Sequence, residues 1–454
     1  MRLWLELALG RAAGRLSRIA GRGGGTTLPG KLLVTLDPGA VARLAERLPL
    51  GSALLSATNG KTTTAAMAIE VLAPRARLAH NGAGANLVSG VASALIEAEN
   101  AELGLFEVDE AALPDVARRV RPRVLSLGNL FRDQLDRYGE LELTAERWRA
   151  AVHELSPDAR LLVNADDPVV ADLADGRPNS STFGVDDPAQ ARPTLQHAAD
   201  SKYCLRCGQP YDYAAAYVGH LGDYRCQACG HGRPALDVSA RAISLRGLEG
   251  SDFDLDTPEG TRRVRLPLPG LYNVYNALAA AALARALDTP LDAIVAGLER
   301  ATPAFGRFER IAIGGKELLM LLIKNPAGAN EVVQTLLQGG APELAVVALN
   351  DAVADGRDVS WIWDVDFEPL LGGLQRLVAT GNRAAELALR FKYGGLPERA
   401  IEVVPELEAA LDRGLELTKP GGRLVVLPTY TAMLGLRGIV HRRGHVRPYW
   451  ERAA

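Results

Sequence analysis

The sequence has 454 residues, of which 48% are apolar and 23% charged, and its formal net charge is −3. This length is enough for roughly three domains, and the composition is that of an ordinary globular protein. The charge balance excludes a general affinity for nucleic acid or anionic membranes, and no apolar run is long enough to span a bilayer.

The chain opens with a basic amphipathic stretch, residues 1–22, in which leucine and alanine alternate with five arginines around a single acid, Glu6. It lacks the uninterrupted apolar segment and the cleavage site of a secretory signal. Such a helix can lie on a membrane surface, but packing against its own domain is the favoured role. We interpret residues 1–48 as a helical lead-in, broken by three glycines at 23–25.

A phosphate-binding loop is predicted at residues 56–64, between an apolar run typical of a buried strand and an alanine-rich helical stretch. In this context the helix N-terminus and loop N–H groups face a polyphosphate. Lys61 then reaches the terminal phosphates, and Thr62 offers its hydroxyl to Mg²⁺. The strict motif has glycine where this chain has Leu55, so the alternative is an ordinary Gly-Lys turn. We interpret the loop as an ATP site.

Strand-like runs alternate with helical stretches from residue 50 to about 195, for example at 103–106, 124–127 and 161–163. This alternation predicts a parallel, doubly wound α/β sheet. Strand-like alternation at 238–268 and a helix over 272–286 extend this central domain, which we place at residues 49–301.

A composition break at residues 302–307 predicts a hinge between domains. Beyond it, strands are predicted at 318–323, 344–349, 376–379 and 423–427, with helical segments between them. Residues 302–454 are therefore expected to form a second, smaller α/β domain.

The four cysteines form two C-x-x-C pairs, Cys204 with Cys207 and Cys226 with Cys229. This spacing is typical of a tetrahedral Zn²⁺ site with four thiolates. The alternative is two disulfides, which a cytoplasmic location disfavours. A zinc ribbon inserted at about residues 200–235 is expected to be structural, and it leaves no thiol for nucleophilic chemistry.

An acidic segment, residues 107–110, follows one predicted strand at the sheet edge where ligands bind in doubly wound folds. Glu107, against the strand end, is the better candidate for a Mg²⁺ ligand. The alternative is a solvated acidic turn.

Four further segments carry polar motifs in chain order, and they lie at residues 128–139, 164–168, 269–277 and 305–309. With the phosphate loop and Glu107, they resemble the Mur ligase family, which includes folylpolyglutamate synthetase. The corresponding family motifs are T-G-T-N-G-K-T-T, a glutamate at a strand end, N-x-x-x-D-H-L-D, N-x-D-D, an N-x-x-N helix and an F-x-G-R-x-E hinge.

The resemblance implies an ATP-dependent ligase that phosphorylates a carboxylate and lets an amine attack the acyl phosphate. It implies that Asn276 contacts adenine, that Arg307 reaches the nucleotide, and that Glu107 binds Mg²⁺. The expected nucleotide contacts are then Thr58, Asn59, Gly60, Lys61, Thr62, Thr63, Asn276 and Arg307.

Several features depart from classical members of the family. No room is left before the loop for a domain that binds a UDP-sugar precursor, and the zinc ribbon is an addition. Gln134 stands where the family has histidine, which puts a second Mg²⁺ site in doubt. No lysine occurs between Lys61 and Lys202, so the carbamylated lysine of many Mur ligases is missing.

These departures resemble the MurT branch of the family, the ligase subunits of lipid II isoglutaminyl synthase. The resemblance also rests on carboxy-terminal segments at residues 324–328, 349–351, 355–364, 380–383 and 427–433. The implied reaction amidates the α-carboxylate of D-glutamate in the lipid II stem peptide to D-isoglutamine. The implied partner in a heterodimer is GatD, a glutamine amidotransferase that supplies ammonia.

The resemblance also implies that an aspartate of this branch completes the Cys-His pair of GatD, as in triads. Asp355 and Asp358 are the candidates within 351–364. The alternative is that these acids cap turns and that Trp361 and Trp363 are core residues. An interface role for one of the two tryptophans is also open.

We therefore expect a two-domain ligase, working in the cytoplasm at the inner face of the membrane, that uses ATP, Mg²⁺ and Zn²⁺. One rival is a stand-alone amino acid ligase like folylpolyglutamate synthetase. Another is a nucleotide-gated zinc-ribbon binding module that has lost catalysis.

Overall fold

The computed structural model describes residues 27–81, 84–133, 141–196, 199–303 and 306–447. The amphipathic stretch predicted at 1–22 lies outside these ranges, as does Gln134. Within the described ranges, no helix combines the length and the apolar character needed to cross a membrane.

The central part of the chain is built on a large sheet and a separate hairpin, β7–β8. The strands are β1 (Ser52–Ser56), β2 (Leu78–His80), β3 (Leu103–Glu107), β4 (Val124–Leu127), β5 (Arg160–Asn164), β6 (Ser180–Val185), β7 (Asp212–Val218), β8 (Leu221–Arg225), β9 (Val238–Leu245), β10 (Ser251–Thr257) and β11 (Gly260–Leu266). Across the sheet the order is β11-β10-β9-β6-β5-β4-β1-β3-β2. Pairing is parallel from β2 to β9 and antiparallel from β9 to β11. The predicted parallel sheet is confirmed, and the antiparallel edge comes from the strand-like run at 238–268.

Helices cover both faces of this sheet. They are α1 (Leu28–Leu36), α2 (Ala40–Ala45), α3 (Lys61–Leu72), α4 (Val88–Glu97), α5 (Leu113–Val120), α6 (Leu141–His153), α7 (Pro168–Asp172), α8 (Leu271–Ala286) and α9 (Leu291–Glu299). Successive side chains of β1 point to opposite faces. Leu55 accordingly packs in the core with α3 and α8, and Leu54 packs in the core on the other face. The sheet is therefore doubly wound, with the loop after β1 at its centre.

The carboxy-terminal part forms a second sheet with its own helices. Its elements are β12 (Glu309–Ile313), β13 (Lys316–Met320), α10 (Pro326–Gln338), β14 (Leu344–Ala348), α11 (Glu368–Leu371), β15 (Arg376–Thr380), α12 (Ala384–Tyr393), β16 (Ile401–Val403), α13 (Leu407–Leu417), β17 (Arg423–Pro428) and α14 (Tyr430–Arg442). The order β12-β13-β17-β14-β15-β16 is parallel except for β12. Strands predicted at 344–349, 376–379 and 423–427 are confirmed, whereas the predicted run at 318–323 begins and ends earlier, as β13.

Candidate functional site

The loop between β1 and α3 has the backbone of a phosphate-binding turn. Gly60 has a φ of 89°, in the left-handed region that favours glycine. A Cβ at this position would also lie 2.0 Å from Oδ1 of Asn276. Glycine is therefore required here for both conformation and space. Leu55, where the strict motif has glycine, is a buried residue of β1.

The side chain of Lys61 is buried and bound to an acid. Its Nζ donates to Oε2 of Glu110 at 2.6 Å, and it also contacts the carbonyl oxygens of Ala57 and Thr58. Burial opposes the charge on Lys61, but the attraction of Glu110 outweighs it and raises the pKa of the ammonium. Burial likewise opposes the charge on Glu110, whereas Lys61 and then Lys324 lower its pKa below the usual range. Glu110 was not predicted as the partner of Lys61, although it lies in the acidic segment.

The predicted Mg²⁺ ligands, Thr62 and Glu107, are in contact. The Thr62 hydroxyl donates to Oε1 of Glu107 at 3.0 Å. Asn81 fixes the backbone of Glu107 with one hydrogen bond to its N–H and one to its carbonyl oxygen. Burial raises the pKa of Glu107 more than Lys61 and Arg307 lower it. A hydroxyl and a carboxylate are oxygen donors of the kind that Mg²⁺ prefers.

The acidic segment is not a solvated turn, so that alternative is wrong. Glu107, Asp109 and Glu110 are all buried. Their burial follows from the sheet, because β3 ends beside β1 and its carboxyl end faces the phosphate loop.

The loop after β4 is hydrogen-bonded to the phosphate loop. Asn129 accepts the N–H of Asn59 at 2.9 Å and donates to the Asn59 carbonyl at 3.1 Å. The N–H of Phe131 donates to the Thr58 hydroxyl at 3.1 Å. The predicted nucleotide contacts Thr58 and Asn59 are thus positioned by the loop that carries the family's N-x-x-x-D motif.

The remaining predicted nucleotide contacts line a cavity beside the loop. Asn276 and Arg307 line it together with Asn59, Gly60 and Thr63. Its other walls are largely apolar or aromatic and include Phe131, Val218, Leu221, Leu268, Tyr272 and Phe308. An apolar slot with amide groups at one end and a phosphate loop at the other has the form that a nucleotide requires.

Two residues of the carboxy-terminal part reach the phosphate loop. The amides of Asn325 and Asn59 bond each other reciprocally, at 3.2 and 3.0 Å. Nζ of Lys324 donates to the carbonyl oxygen of Thr58 at 3.0 Å and to Oδ2 of Asp133 at 2.6 Å. Neither contact was predicted, although the segment 324–328 stands out in the sequence.

The N-x-D-D motif has a structural role. Asp167 caps α7 through the N–H groups of Val169 and Val170 and also accepts the N–H of Leu130. Asp166 accepts the Tyr275 hydroxyl at 2.6 Å and Arg233 at 3.0 Å. Burial raises the pKa of Asp166 to about 6 against the pull of Arg233. These bonds hold the inserted module, at about residues 200–235, and α8 to the end of β5.

The four cysteines form one cluster in the inserted module. Their sulfur atoms all lie within 4.8 Å of one another; Cys204 and Cys229 are 3.5 Å apart, and Cys207 and Cys226 are 3.4 Å apart. All four are free thiols, so the disulfide alternative is wrong. Gly208 and Gly230 follow the two knuckles with φ of 73° and 77°, as tight turns require. Burial opposes ionisation of Cys204, but N–H groups of Arg206 and Cys207 lower its pKa to about 6. The donor set and its turns fit a tetrahedral thiophilic metal.

The two candidate triad acids have different environments. Asp355 is buried, and its carboxylate accepts both the N–H and the hydroxyl of Thr431. Asp358 is exposed and accepts the N–H of Ser360 at 2.8 Å, where a short 3₁₀ helix begins. Hydrogen bonds from Ser360 lower the pKa of Asp358.

Trp363 lies in the same short 3₁₀ helix and is 49% exposed, so its assignment to the core is wrong. Its ring is 6.2 Å from that of Tyr393, which is also exposed. Trp361 instead packs against the carboxy-terminal core. Neither Asp355 nor Asp358 lines the cavity beside the phosphate loop.

Two family models match the chain. The Mur ligase middle domain matches residues 56–224, and the MurT ligase C-terminal matches residues 322–433. The chain is 33% identical over 451 residues to a Streptococcus pneumoniae protein named lipid II isoglutaminyl synthase (glutamine-hydrolyzing) subunit MurT, covering 98% of this chain and 99% of that relative. A Staphylococcus aureus protein of the same name is 33% identical, with 95% and 96% covered.

Solved structures share the fold at lower identity. A pseudomurein peptide ligase type C from Methanothermus fervidus has a TM-score of 0.71 at 22% identity, covering 90% of this chain and 83% of that chain. MurF ligase from Thermotoga maritima in complex with ADP has a TM-score of 0.65 at 13% identity, covering 90% and 84%.

Proposed function

This chain belongs to the MurT family of Mur ligases, and we propose on that premise that it amidates a carboxylate of a peptidoglycan precursor with ATP. The specific reaction is conversion of the D-glutamate α-carboxylate in the lipid II stem peptide to D-isoglutamine. The observation that carries the proposal is the group formed by Lys61, Thr62 and Glu107 at the phosphate loop, beside a cavity lined by Asn276 and Arg307.

In the first step, an oxygen of the substrate carboxylate attacks the γ-phosphorus of ATP, and ADP leaves with the electrons of the broken bond. Lys61 neutralises charge on the transferred group, and loop N–H groups hold the phosphates. Thr62 and Glu107 would hold Mg²⁺, and the bound ion would supply positive charge to offset the charge of the phosphates. In the second step, the nitrogen of ammonia attacks the acyl carbon, and the bond from that carbon to the phosphate oxygen breaks. Phosphate leaves with the electrons of that bond, and the nitrogen loses one proton to water to give the amide.

Ammonia must come from outside this chain. Glutamine hydrolysis of the expected type uses a cysteine nucleophile, and all four cysteines lie in the metal-type cluster. We infer a partner of the glutamine amidotransferase class, like GatD, joined in a heterodimer. Asp358 is the better candidate for completing the Cys-His pair of that partner, because its carboxylate is exposed and hydrogen bonds lower its pKa. The carboxylate of Asp355 is instead occupied by Thr431.

The test is reconstitution with the glutaminase partner, ATP, lipid II and glutamine labelled with a nitrogen isotope in its side-chain amide. We expect the label in a primary amide on the stem peptide, with ADP formed in equal amount. ATP hydrolysis that depends on an added amino acid, and not on glutamine, would favour a stand-alone ligase and contradict the proposal.

We also propose that the cysteine cluster holds one structural Zn²⁺. Replacing Cys204 with serine should remove most of the zinc from purified protein, since the site loses one of four thiolates. A loss of about 2 kcal/mol would lower the unfolding temperature by roughly 4–8 °C. Metal analysis and thermal unfolding measure both effects.

The control is Leu205→Ala, because Leu205 is exposed in the same knuckle and carries no ligand atom. It should keep its zinc. Undiminished zinc and stability in Cys204→Ser would show that the cluster is not a zinc site.

The proposed substrate carries a lipid anchor, so we place the reaction in the cytoplasm at the inner face of the membrane. The chain itself is proposed to be peripheral there at most.

A further inference from the structure

Two ammonium groups from different domains converge on one carbonyl oxygen of the phosphate loop. Nζ of Lys61, at the start of α3, lies 3.5 Å from the oxygen of Thr58. Nζ of Lys324, which directly precedes the N-cap of α10, lies 3.0 Å from the same oxygen. The two cationic nitrogens are therefore close neighbours at the phosphate loop.

Lys324 is held in this place by an acid that is itself buried. Its ammonium donates to Oδ2 of Asp133 at 2.6 Å, and the Asp133 side chain is only 7% exposed. The next residue, Asn325, exchanges two hydrogen bonds with Asn59 in the loop. Lys324 also lines the cavity that holds the predicted nucleotide contacts. The lysine is thus fixed beside the loop and open to its cavity.

The charges around the loop are arranged in two pairs. Lys61 faces Glu110, and Lys324 faces Asp133. The positive charge of Lys324 also lowers the pKa of Glu110, the carboxylate that binds Lys61. The second ammonium at the loop therefore comes from the carboxy-terminal part of the chain.

We propose that Lys324 binds an oxygen of the γ-phosphoryl group of ATP and stays on that group as it moves to the substrate carboxylate. The inference rests on the proposed function and adds a second phosphate-binding cation to it. During transfer, the bond from the γ-phosphorus to the bridging oxygen breaks and its electrons leave with ADP. A bond to the carboxylate oxygen forms, and Lys324 exchanges no proton. Its charge, together with that of Lys61, offsets the negative charge of the transferred group.

Binding of two nucleotides to Lys324→Met provides the test. A cation on the γ-phosphate stabilises bound ATP but not ADP, so affinity for a non-hydrolysable ATP analogue should fall about tenfold while affinity for ADP stays within about twofold. Loss of one preorganised charge should lower the rate of amide formation by about 100-fold. Lys419→Met is the matched control, because Lys419 is exposed and pairs with Glu343 at the surface. It should change none of these values.

A role of Lys324 as a mere fastener between domains would weaken ATP analogue and ADP equally, and that result overturns the inference. Unchanged affinities and rate overturn it as well. Lys324→Arg keeps the charge, so it should retain a preference for the triphosphate, and it provides the test if the methionine variant is unstable. If Lys61→Ala is inactive while Lys324→Met is fully active, the proposed function stands and only this inference fails. Full activity in both variants contradicts the proposed function itself.

Discussion

Lys61→Ala is expected to lower ATP-dependent amide formation by about 10³-fold or more. The lysine is the buried cation of the phosphate loop, and the transferred phosphoryl group needs such a charge in its transition state. The measurement is the rate of label transfer from glutamine to the lipid II stem peptide, with the partner subunit in excess.

The variant has a second effect, which the experiment must separate from the first. Removing Lys61 leaves the carboxylate of Glu110 buried without its main partner, and such a change costs about 3–5 kcal/mol. The double variant Lys61→Ala/Glu110→Gln removes that buried charge. It should recover most of the stability in thermal unfolding and recover none of the activity.

Undiminished product formation by Lys61→Ala would contradict the assignment of the loop as the ATP site. A double variant that recovers both stability and activity would show that Lys61 serves folding alone.

The second large effect is expected for Asp358→Asn, and it should depend on the nitrogen source. If Asp358 orients the histidine of the glutaminase partner, the asparagine variant should lose about 10³–10⁴-fold of the glutamine-dependent rate, as triads do when this carboxylate is replaced. Activity with free ammonium at saturating concentration should remain. The two rates are measured on the same complex preparation.

Asp355→Asn is the matched control. Its carboxylate is buried on Thr431, so we expect lower stability and an equal loss with glutamine and with ammonium. If the glutamine-specific loss appears in Asp355→Asn instead, the roles of the two aspartates are exchanged. A glutamine-specific loss in neither variant removes this segment from the glutaminase site.

Neighbouring strands explain why part of the site was predictable. Glu107 pairs in register with Leu55, one residue before the end of β1. Parallel strands bring their carboxyl ends to one edge, so a glutamate that ends β3 and a threonine that follows β1 meet there. The Mur ligase resemblance is confirmed by family membership, and the fold class follows from the same alternation of strands and helices.

The pairing of charges could not be predicted in this way. Glu110 is 49 residues from Lys61, and Lys324 is 191 residues from Asp133. The sequence shows that acids and lysines are present, but their partners depend on tertiary packing. Glu110 meets Lys61 because β3 lies beside β1 in one sheet, and Lys324 meets Asp133 because the carboxy-terminal part packs against the phosphate loop. The same reason separates Asp355 from Asp358: three residues apart, one is buried on α14 and the other is exposed.

By itself, the sequence determined the strand-turn-helix of the phosphate loop, the grouping of the four cysteines and the family. These features depend on residue types within short windows, where backbone conformation and ligand spacing are local properties. Only the tertiary structure decided that Lys61 binds Glu110, that Lys324 reaches the loop and that Asp358 is accessible. Burial and ion pairing join residues distant in the chain, and they exist only once the chain has folded.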